Sequence, residues 1–490
     1  MPHLVEREFD VIVIGAGAVG ENAADRVVQG GLTAVLVEAE LVGGECSYWA
    51  CMPSKALLRP GTALHGAQAV PGASEAVTGT LNAATVLRRR DSFTSDWQDA
   101  GQVEWVEGAG IELIRGRARL AGERTVRVAG RDGDDYALTA RHAVVLASGS
   151  TPNQPPVEGL SGVEYWGTRE ATSAKEVPAR LGVLGGGVAG TELAQAFARL
   201  GSTVTLVARS GLLRNFPAEA AELVAAGLRA DGVELRLDTK TRSVMRNFDG
   251  SLTLTLEGGT PDGGDTVTVD RLLVSTGRRP ALDGLGLESV GLSSNNGKPL
   301  VIRTDSTGLV AEASGNGDTP WLYAVGDAAG RVLLTHQGKY EARATGAAIA
   351  ARAKGELRGE PGPWSRYAQT ADDHAIPNVV FTDPELANVG RSLEQARKDG
   401  YNASSVELPI EVAGSSLHAV DYKGWAQLVV DEERRVLLGA TFAGPDVAEL
   451  LHAATIAVVG EVPLDRLWHA VPSYPTISEV WLRLLEKYGL

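Results

Sequence analysis

Apolar residues fall along the chain in a pattern that predicts buried strands alternating with helices. Residues 9–14 (FDVIVI), 33–37, 143–146, 181–184 and 203–207 (TVTLV) are short β-branched and aliphatic runs with almost no polar alternation. Such runs predict parallel strands covered on both faces. The first leads through a glycine-rich turn into a helix ending near residue 29, and residues 181–184 lead likewise into a helix ending near residue 200. Residues 60–110 read as alanine-rich helix, with Arg88, Arg89 and Arg90 as a solvated helix face. Residues 117–128 and 136–139 read as two further short strands, and Pro152, Pro155 and Pro156 mark a linker after a turn at 147–152.

The two glycine-rich turns carry the first chemistry. Gly15, Gly17 and Gly20 follow a strand, open a helix and precede a second strand ending at Glu38. Glycines let backbone approach a pyrophosphate, the helix N-terminus offers free N–H groups, and an acid at that remove can accept from a ribose hydroxyl. In that full context the motif predicts a dinucleotide site. Gly185, Gly187 and Gly190 repeat it about 170 residues later, but the place of the acid is taken by Ala208, followed by Arg209. A missing acid beside an arginine favours the 2′-phosphate of NADP, with Arg214 as a second candidate. The alternative is a surface arginine unconnected with cofactor choice.

Between the fingerprints lies the stretch GGECSYWACMPSK, residues 43–55, with the only two cysteines of the chain, Cys46 and Cys51. Five positions along a regular helix leave side chains about 140° apart, too far round for a disulfide. The turn must therefore be irregular, with a helix expected from Pro53. A helix N-terminus and Lys55 would both favour the thiolate. As a plain staple, so short a loop would contribute only about 2 kcal/mol. A disulfide made and broken in use explains the pair better.

Composition narrows the setting. The 490 residues are enough for roughly three domains, and 44% hydrophobic with 22% charged residues is ordinary globular composition. A formal charge of −15 argues against nucleic acid and anionic membrane as partners. No apolar run approaches the ~20 residues of a membrane span, and the charged start MPHLVEREFD is not a secretion signal. A cytoplasmic location is expected, where a close cysteine pair is more often catalytic than structural.

Taken in order, these pieces resemble the FAD-dependent pyridine nucleotide–disulfide oxidoreductases, the family of dihydrolipoamide dehydrogenase, glutathione reductase and mercuric reductase. The matching motifs are GAGAVG with Glu38, GGEC with CMPSK, ASGSTP at 147–152, GGGVAGTE at 185–192, STGRRP at 275–280, AVGDAAG at 324–330, VVFTDPE at 379–385 and YPTISE at 474–479. The resemblance implies an α/β chain with two Rossmann-like dinucleotide-binding domains plus a C-terminal α+β dimerisation domain. Residues 1–150 and 281–350 would bind FAD, 151–280 the nicotinamide nucleotide, NADPH rather than NADH, and 351–490 would form a homodimer. It implies Gly44, Gly149, Gly326 and Asp327 at the FAD beside Gly15, Gly17, Gly20 and Glu38, and Gly277 with the second fingerprint. Lys55 and Glu192 resemble an ion pair near the flavin N5. Cys51 would face the flavin and Cys46 the substrate. No metal site is expected.

Two departures bear on the acceptor. Where disulfide-reducing members carry a histidine paired with a glutamate, this chain has Tyr474 and Glu479, expected to complete the active site of the partner subunit. Tyrosine keeps its proton to about pH 10 and is a poor shuttle beside histidine. His469 is out of register for the role. Mercuric reductase resembles the chain in that tyrosine, but its C-terminal cysteine pair is missing from the ending EKYGL. The second departure is Tyr48 and Trp49 inside the cysteine turn, read equally as packing or as stacking on a substrate. Three functions remain open: an NADPH-linked disulfide reductase, a reductase of a quinone or metal ion, and a non-catalytic flavin-binding dimer. The intact cysteines, Lys55 and Glu192 argue against the last.

Overall fold

A computed structural model describes residues 3–257, 265–293, 299–311 and 320–490. They fall into two compact units, one of residues 1–51, 94–152 and 278–373, the other of residues 52–93, 153–277 and 374–490.

In the first unit the strand Leu4–Ile14 lies between Ala34–Glu38 and Asp135–Leu146, parallel to both, and Leu322–Ala324 runs parallel to the end of Asp135–Leu146. Val11, Ile12 and Val13 are fully buried, as their unbroken apolar run predicts. The strand extends further back than residue 9 because Leu4–Phe9 continue the pairing with Asp135–Ala140 before a register shift. Glu112–Leu120 joins beside Ala34–Glu38, and an antiparallel hairpin to Thr125–Gly130 leads back to Asp135–Leu146. Residues 117–128 are therefore not one strand. The chain reverses there with Gly122 and Arg124 at positive φ, closed by the Ala121 N–H on the Thr125 carbonyl at 2.9 Å. The helices Ala18–Gln29 and Thr335–Ala353 pack on each other in this unit.

The second unit holds the second fingerprint on a four-stranded parallel sheet of Arg271–Val274, Arg180–Leu184, Thr203–Val207 and Glu234–Arg236. A separate five-stranded antiparallel sheet is built from residues 377–444. The helices Leu451–Val459 and Val480–Tyr488 contribute to its core. No helix among the described residues is long and apolar enough to cross a membrane.

The Arg88–Arg90 run is not a uniformly solvated face. Arg90 is 0% exposed. It donates to the Thr172 carbonyl, to the Ala174 carbonyl at 2.7 Å and to Asp91 Oδ1 at 2.7 Å. It thereby satisfies carbonyls left over at the end of the helix Thr168–Thr172. Arg90→Met keeps the apolar bulk but removes the buried guanidinium donors from those carbonyls. We expect it to lower stability by about 3 kcal/mol, read as a lower urea midpoint, with Arg90→Lys recovering only part because one ammonium lacks the guanidinium fork. An unchanged midpoint in Arg90→Met would refute this role.

Candidate active site

The first glycine-rich turn joins Ile14 to the helix Ala18–Gln29. Gly15 has φ +103°, and a Cβ there would stand 2.4 Å from the Ala147 carbonyl oxygen. A Cβ on Gly44 would lie 2.8 Å from Gly17 Cα, so the cysteine turn touches the fingerprint backbone. Gly20 enters the helix behind them. Glu38 is buried, accepting from Ala16 N–H at 2.7 Å and Glu40 N–H at 2.6 Å. Burial pushes its carboxyl above the usual range while those two donors oppose. Gly149 leads into the strand Ser150–Pro152, and Ser150 donates from its hydroxyl to Asp327, next to Gly326. Arg278 clasps Ser150 at Oγ (2.7 Å) and at the carbonyl (2.6 Å). The buried hydroxyls of Ser148 and Thr151 have no protein partner among the described residues. A glycine-only backbone approach, an acid at the second strand end and waiting buried hydroxyls fit a dinucleotide such as FAD.

The cysteines sit at a break between two helices, Gly44–Tyr48 and Cys51–Gln68. The irregular turn is as expected, but the second helix begins at Cys51 itself, ahead of Pro53. Both cysteines are half-buried. Cys51 Sγ lies 3.3 Å from Thr335 Oγ1, at the start of the helix Thr335–Ala353. The Cys46 thiol is pushed well above its ordinary range, first by its hydrogen bond to Cys51 and then by burial, with Thr335 and Lys339 opposing. Burial and the neighbouring sulfur therefore disfavour the Cys46 thiolate, against the expectation that the helix start and Lys55 would favour it. Thr335 was not signalled by any sequence motif.

Tyr48 is packing. It is buried, donates to the Val42 carbonyl at 3.0 Å and accepts the Trp97 indole on its own carbonyl at 3.1 Å. Trp49 meets it edge-on, ring centroids 5.7 Å apart.

In the second unit Lys55 Nζ is 2.7 Å from Glu192 Oε2, while Glu192 Oε1 accepts the Phe381 N–H at 3.0 Å. Lys55 also lies 4.8 Å over the Phe381 ring. The ion pair expected from the resemblance is therefore formed, with Phe381 as an addition that the motif VVFTDPE contains but does not explain. Gly185, Gly187 and Gly190 open the helix Val188–Arg199, and the Gly277 carbonyl accepts from Asn153 N–H at 2.9 Å. Ala208 is buried against Gly186, leaving no acid at this strand end. Arg209 and Arg214 are exposed. Thr191 Oγ1 is buried without a protein partner among the described residues. This second turn fits a nicotinamide nucleotide.

Tyr474 is 76% exposed, and no hydrogen bond joins it to Glu479 among the described residues. Glu479 is buried, with Oε2 unpartnered among the described residues.

Two nucleotide turns and a thiol pair define a flavin- and nicotinamide-linked oxidoreductase. Residues 9–350 match the family described as pyridine nucleotide-disulphide oxidoreductase, residues 376–484 match its dimerisation domain, and the chain belongs to this family. It is similar to a dihydrolipoyl dehydrogenase of Thermus scotoductus, 33% identical over 96% of each protein. It is similar also to a mercuric reductase of Streptomyces lividans, 32% identical over 96% of this chain and 94% of that one. Among solved structures, the Cu(II) complex of the HOCl-induced flavoprotein disulfide reductase RclA from Escherichia coli shares the fold. Its TM-score is 0.78 over 98% of this chain and 99% of that one, at 24% identity. The chain is an FAD-dependent flavoprotein disulfide oxidoreductase using a nicotinamide nucleotide, and its dimerisation domain indicates a homodimer.

Because Tyr48 anchors the turn rather than meeting a substrate, Tyr48→Phe is expected to lower stability by about 1 kcal/mol and leave turnover unchanged. Loss of turnover with stability intact would reverse that assignment.

Proposed function

We propose that the chain draws electrons from NADPH to open the Cys46–Cys51 disulfide and delivers them through Cys46 to a disulfide substrate. The observation that carries this reading is the cysteine turn, with Cys51 Sγ on Thr335, set against the first nucleotide turn through Gly44 and Gly17. FAD, when bound, carries the reducing equivalents from nicotinamide to sulfur, held by the Gly15–Gly20 turn, Glu38, Gly149, Gly326 and Asp327. By the resemblance, Lys55, paired with Glu192, would supply positive charge to the flavin.

Two electrons and one proton convert the disulfide to one thiolate and one thiol. Cys46 is the sulfur that attacks the substrate disulfide, forming a mixed disulfide and expelling the first substrate thiolate, which takes up a proton. Cys51 then attacks Cys46, releasing the second substrate thiolate and restoring the Cys46–Cys51 bond. Tyr474 and Glu479 of the partner subunit border this path. The reading is supported by the exposure of Tyr474 on a segment of the dimerisation domain that also exposes Trp468 and Val471. In NADPH binding, the exposed Arg209 and Arg214 would meet the 2′-phosphate, with Ala208 leaving no acid to repel it.

A second reading is favoured by Tyr474 in the place of a histidine: electrons pass to a quinone or a metal ion, which needs no protonated leaving thiol. The names of the similar mercuric reductases agree with a metal-ion acceptor.

Anaerobic titration with NADPH should raise a long-wavelength absorbance from a thiolate lying against the flavin; an active enzyme without it would sink the thiol-based reading. In Cys46→Ser, reduction of small disulfides should fall by at least about a thousandfold, since the nucleophile is gone. Survival of quinone or Hg(II) reduction in that variant would move the assignment to the second reading. For the cofactor, Arg209→Glu should raise the KM for NADPH about tenfold or more, by loss of one charge pair and gain of a repulsion, and leave that for NADH nearly unchanged. An unaltered NADPH preference would rule out Arg209.

A further inference from the structure

Behind the Gly326–Asp327 turn lies a pair of buried acids that the chemistry above leaves unused. Glu341, on the helix Thr335–Ala353, is 0% exposed, and Asp372, on the short helix Ala371–His374, is also buried. Glu341 Oε2 accepts the Gly326 N–H at 2.6 Å, and Asp372 Oδ1 accepts from Gln337 Nε2 at 2.6 Å. Their other oxygens, Glu341 Oε1 and Asp372 Oδ2, meet no protein donor among the described residues, and because Gln337 and Glu341 are one turn apart on their helix, the Asp372 carboxyl bonded to Gln337 lies against the same face as Glu341. Two carboxyl groups buried on one face repel each other when both are ionised, and one of them is favoured in its protonated form.

The surrounding charges do not remove that preference. Arg331 is the cation facing the pair, with Nη1 3.8 Å from Asp372 Oδ2. It also serves Gln369 Oε1 at 3.2 Å and Asp373 Oδ1 at 2.8 Å. Thus one guanidinium faces Glu341, Asp372 and Asp373 together. Tyr340, from the same helix, is engaged elsewhere, donating to the Ala368 carbonyl and accepting the Ala371 N–H. Two ionised carboxylates here would bury a charge with no counter-ion.

We propose that Glu341 and Asp372 share one proton at neutral pH, carried by Glu341, and that this neutral carboxyl is a positioning residue for FAD. It fixes the Gly326 N–H and so the backbone that presents Asp327. Glu341 does not touch the reacting atoms; it acts through the turn. Burial first, and then the charge of Asp372, push the Glu341 carboxyl up to about 8, with the Gly326 N–H and Arg331 opposing. A folded pKa raised above the ordinary carboxylate value means that the stabilisation is complete below the ordinary range, near 4.5, and is lost as pH rises through about 8. Above that pH the pair becomes two facing anions, and their repulsion, working against the Gly326 N–H bond, loosens the Gly326–Asp327 turn.

The test is FAD retention by the purified holoenzyme, followed as flavin fluorescence released on dilution at about pH 6 to 9. In the native enzyme the release rate should rise by up to about tenfold per pH unit as pH approaches about 8 and level off above it. Glu341→Gln can accept from Gly326 N–H and donate to Asp372 without a titratable proton, so its release rate should be nearly flat over that range. The same alkaline rise in Glu341→Gln would overturn the proposal. Infrared difference spectra at neutral pH should show a protonated-carboxyl carbonyl band in the native enzyme that Glu341→Gln lacks, and identical bands in both would overturn it too. Should that variant fail to fold, Asp372→Asn removes the like charge and should shift the alkaline rise to lower pH. An unmoved rise there would also count against a shared proton.

Discussion

The first unit depends on backbone approaching backbone where side chains would ordinarily intervene. Gly44 lies so close to Gly17 that a single added carbon would stand 2.8 Å from the facing Cα. That approach carries the cysteine turn onto the nucleotide turn, and the surrounding side chains hold it there. Tyr48 ties down Val42 from one side, the Trp97 indole holds the Tyr48 carbonyl, and Asp99 accepts from the Val42 N–H at 2.8 Å while pairing with Arg115 at 2.6 Å. The break between the two helices is therefore clamped on several sides, which keeps two thiols together without help from regular structure. Thr335, arriving from more than 280 residues away, meets the sulfur that this clamp presents.

What could be read from the sequence is what obeys a local rule. Both nucleotide turns were legible because a buried parallel strand has an unbroken apolar run and the glycines follow it at fixed spacing. The irregular cysteine turn was legible because a regular helix cannot bring those two side chains together. The hairpin within residues 117–128 was not, since Gly122 and Arg124 reverse the chain without an Asn-Gly or Pro signal. Arg90 was misread for a related reason: a charge run predicts solvent, and only the end of the helix Thr168–Thr172 packed against it supplies carbonyls to bury an arginine. Tyr48 and Trp49 could not be divided between packing and stacking until the Val42 carbonyl was seen to take the Tyr48 hydroxyl. Thr335 with Cys51, and Glu341 with Asp372, are pairs made by tertiary folding, and no spacing encodes them.

The buried acids of the first unit share one electrostatic problem. A pyrophosphate at the fingerprint turn brings negative charge to a region already containing Glu38, Glu21 and, behind Gly326, Glu341. Burial pushes all three carboxyls upward, Glu21 to about 7 with Lys339 opposing. Glu38 is drawn back by two backbone donors. Glu341 is handled differently, through a neighbouring acid that can share its proton. The second unit solves the same problem with a counter-ion: Glu192 is nearly inaccessible but has Lys55 on one oxygen and the Phe381 N–H on the other. Charge near the nucleotides is therefore set by donors, protons or cations, and in each case the compensating group is identifiable.

The same reasoning bears on where electrons leave. Once the disulfide is open, the hydrogen bond between the sulfurs holds the Cys46 proton, and burial adds to its grip. A nearby imidazole could take that proton and later return it to a departing thiol; Tyr474 is unsuited to both steps at neutral pH because a phenol is neither basic enough to accept it nor acidic enough to give it up readily. Thr335 and Lys339 pull the Cys46 equilibrium the other way but do not outweigh the neighbouring sulfur and burial, so attack by Cys46 requires its proton to pass to Cys51. On the proposed reading, with Tyr474 of the partner subunit beside the sulfurs, such an arrangement keeps its nucleophile within the sulfur pair and offers no general acid. It therefore favours acceptors whose reduced form leaves as a stable thiolate, or needs no proton from the protein, over alkyl disulfides with strongly basic leaving thiols.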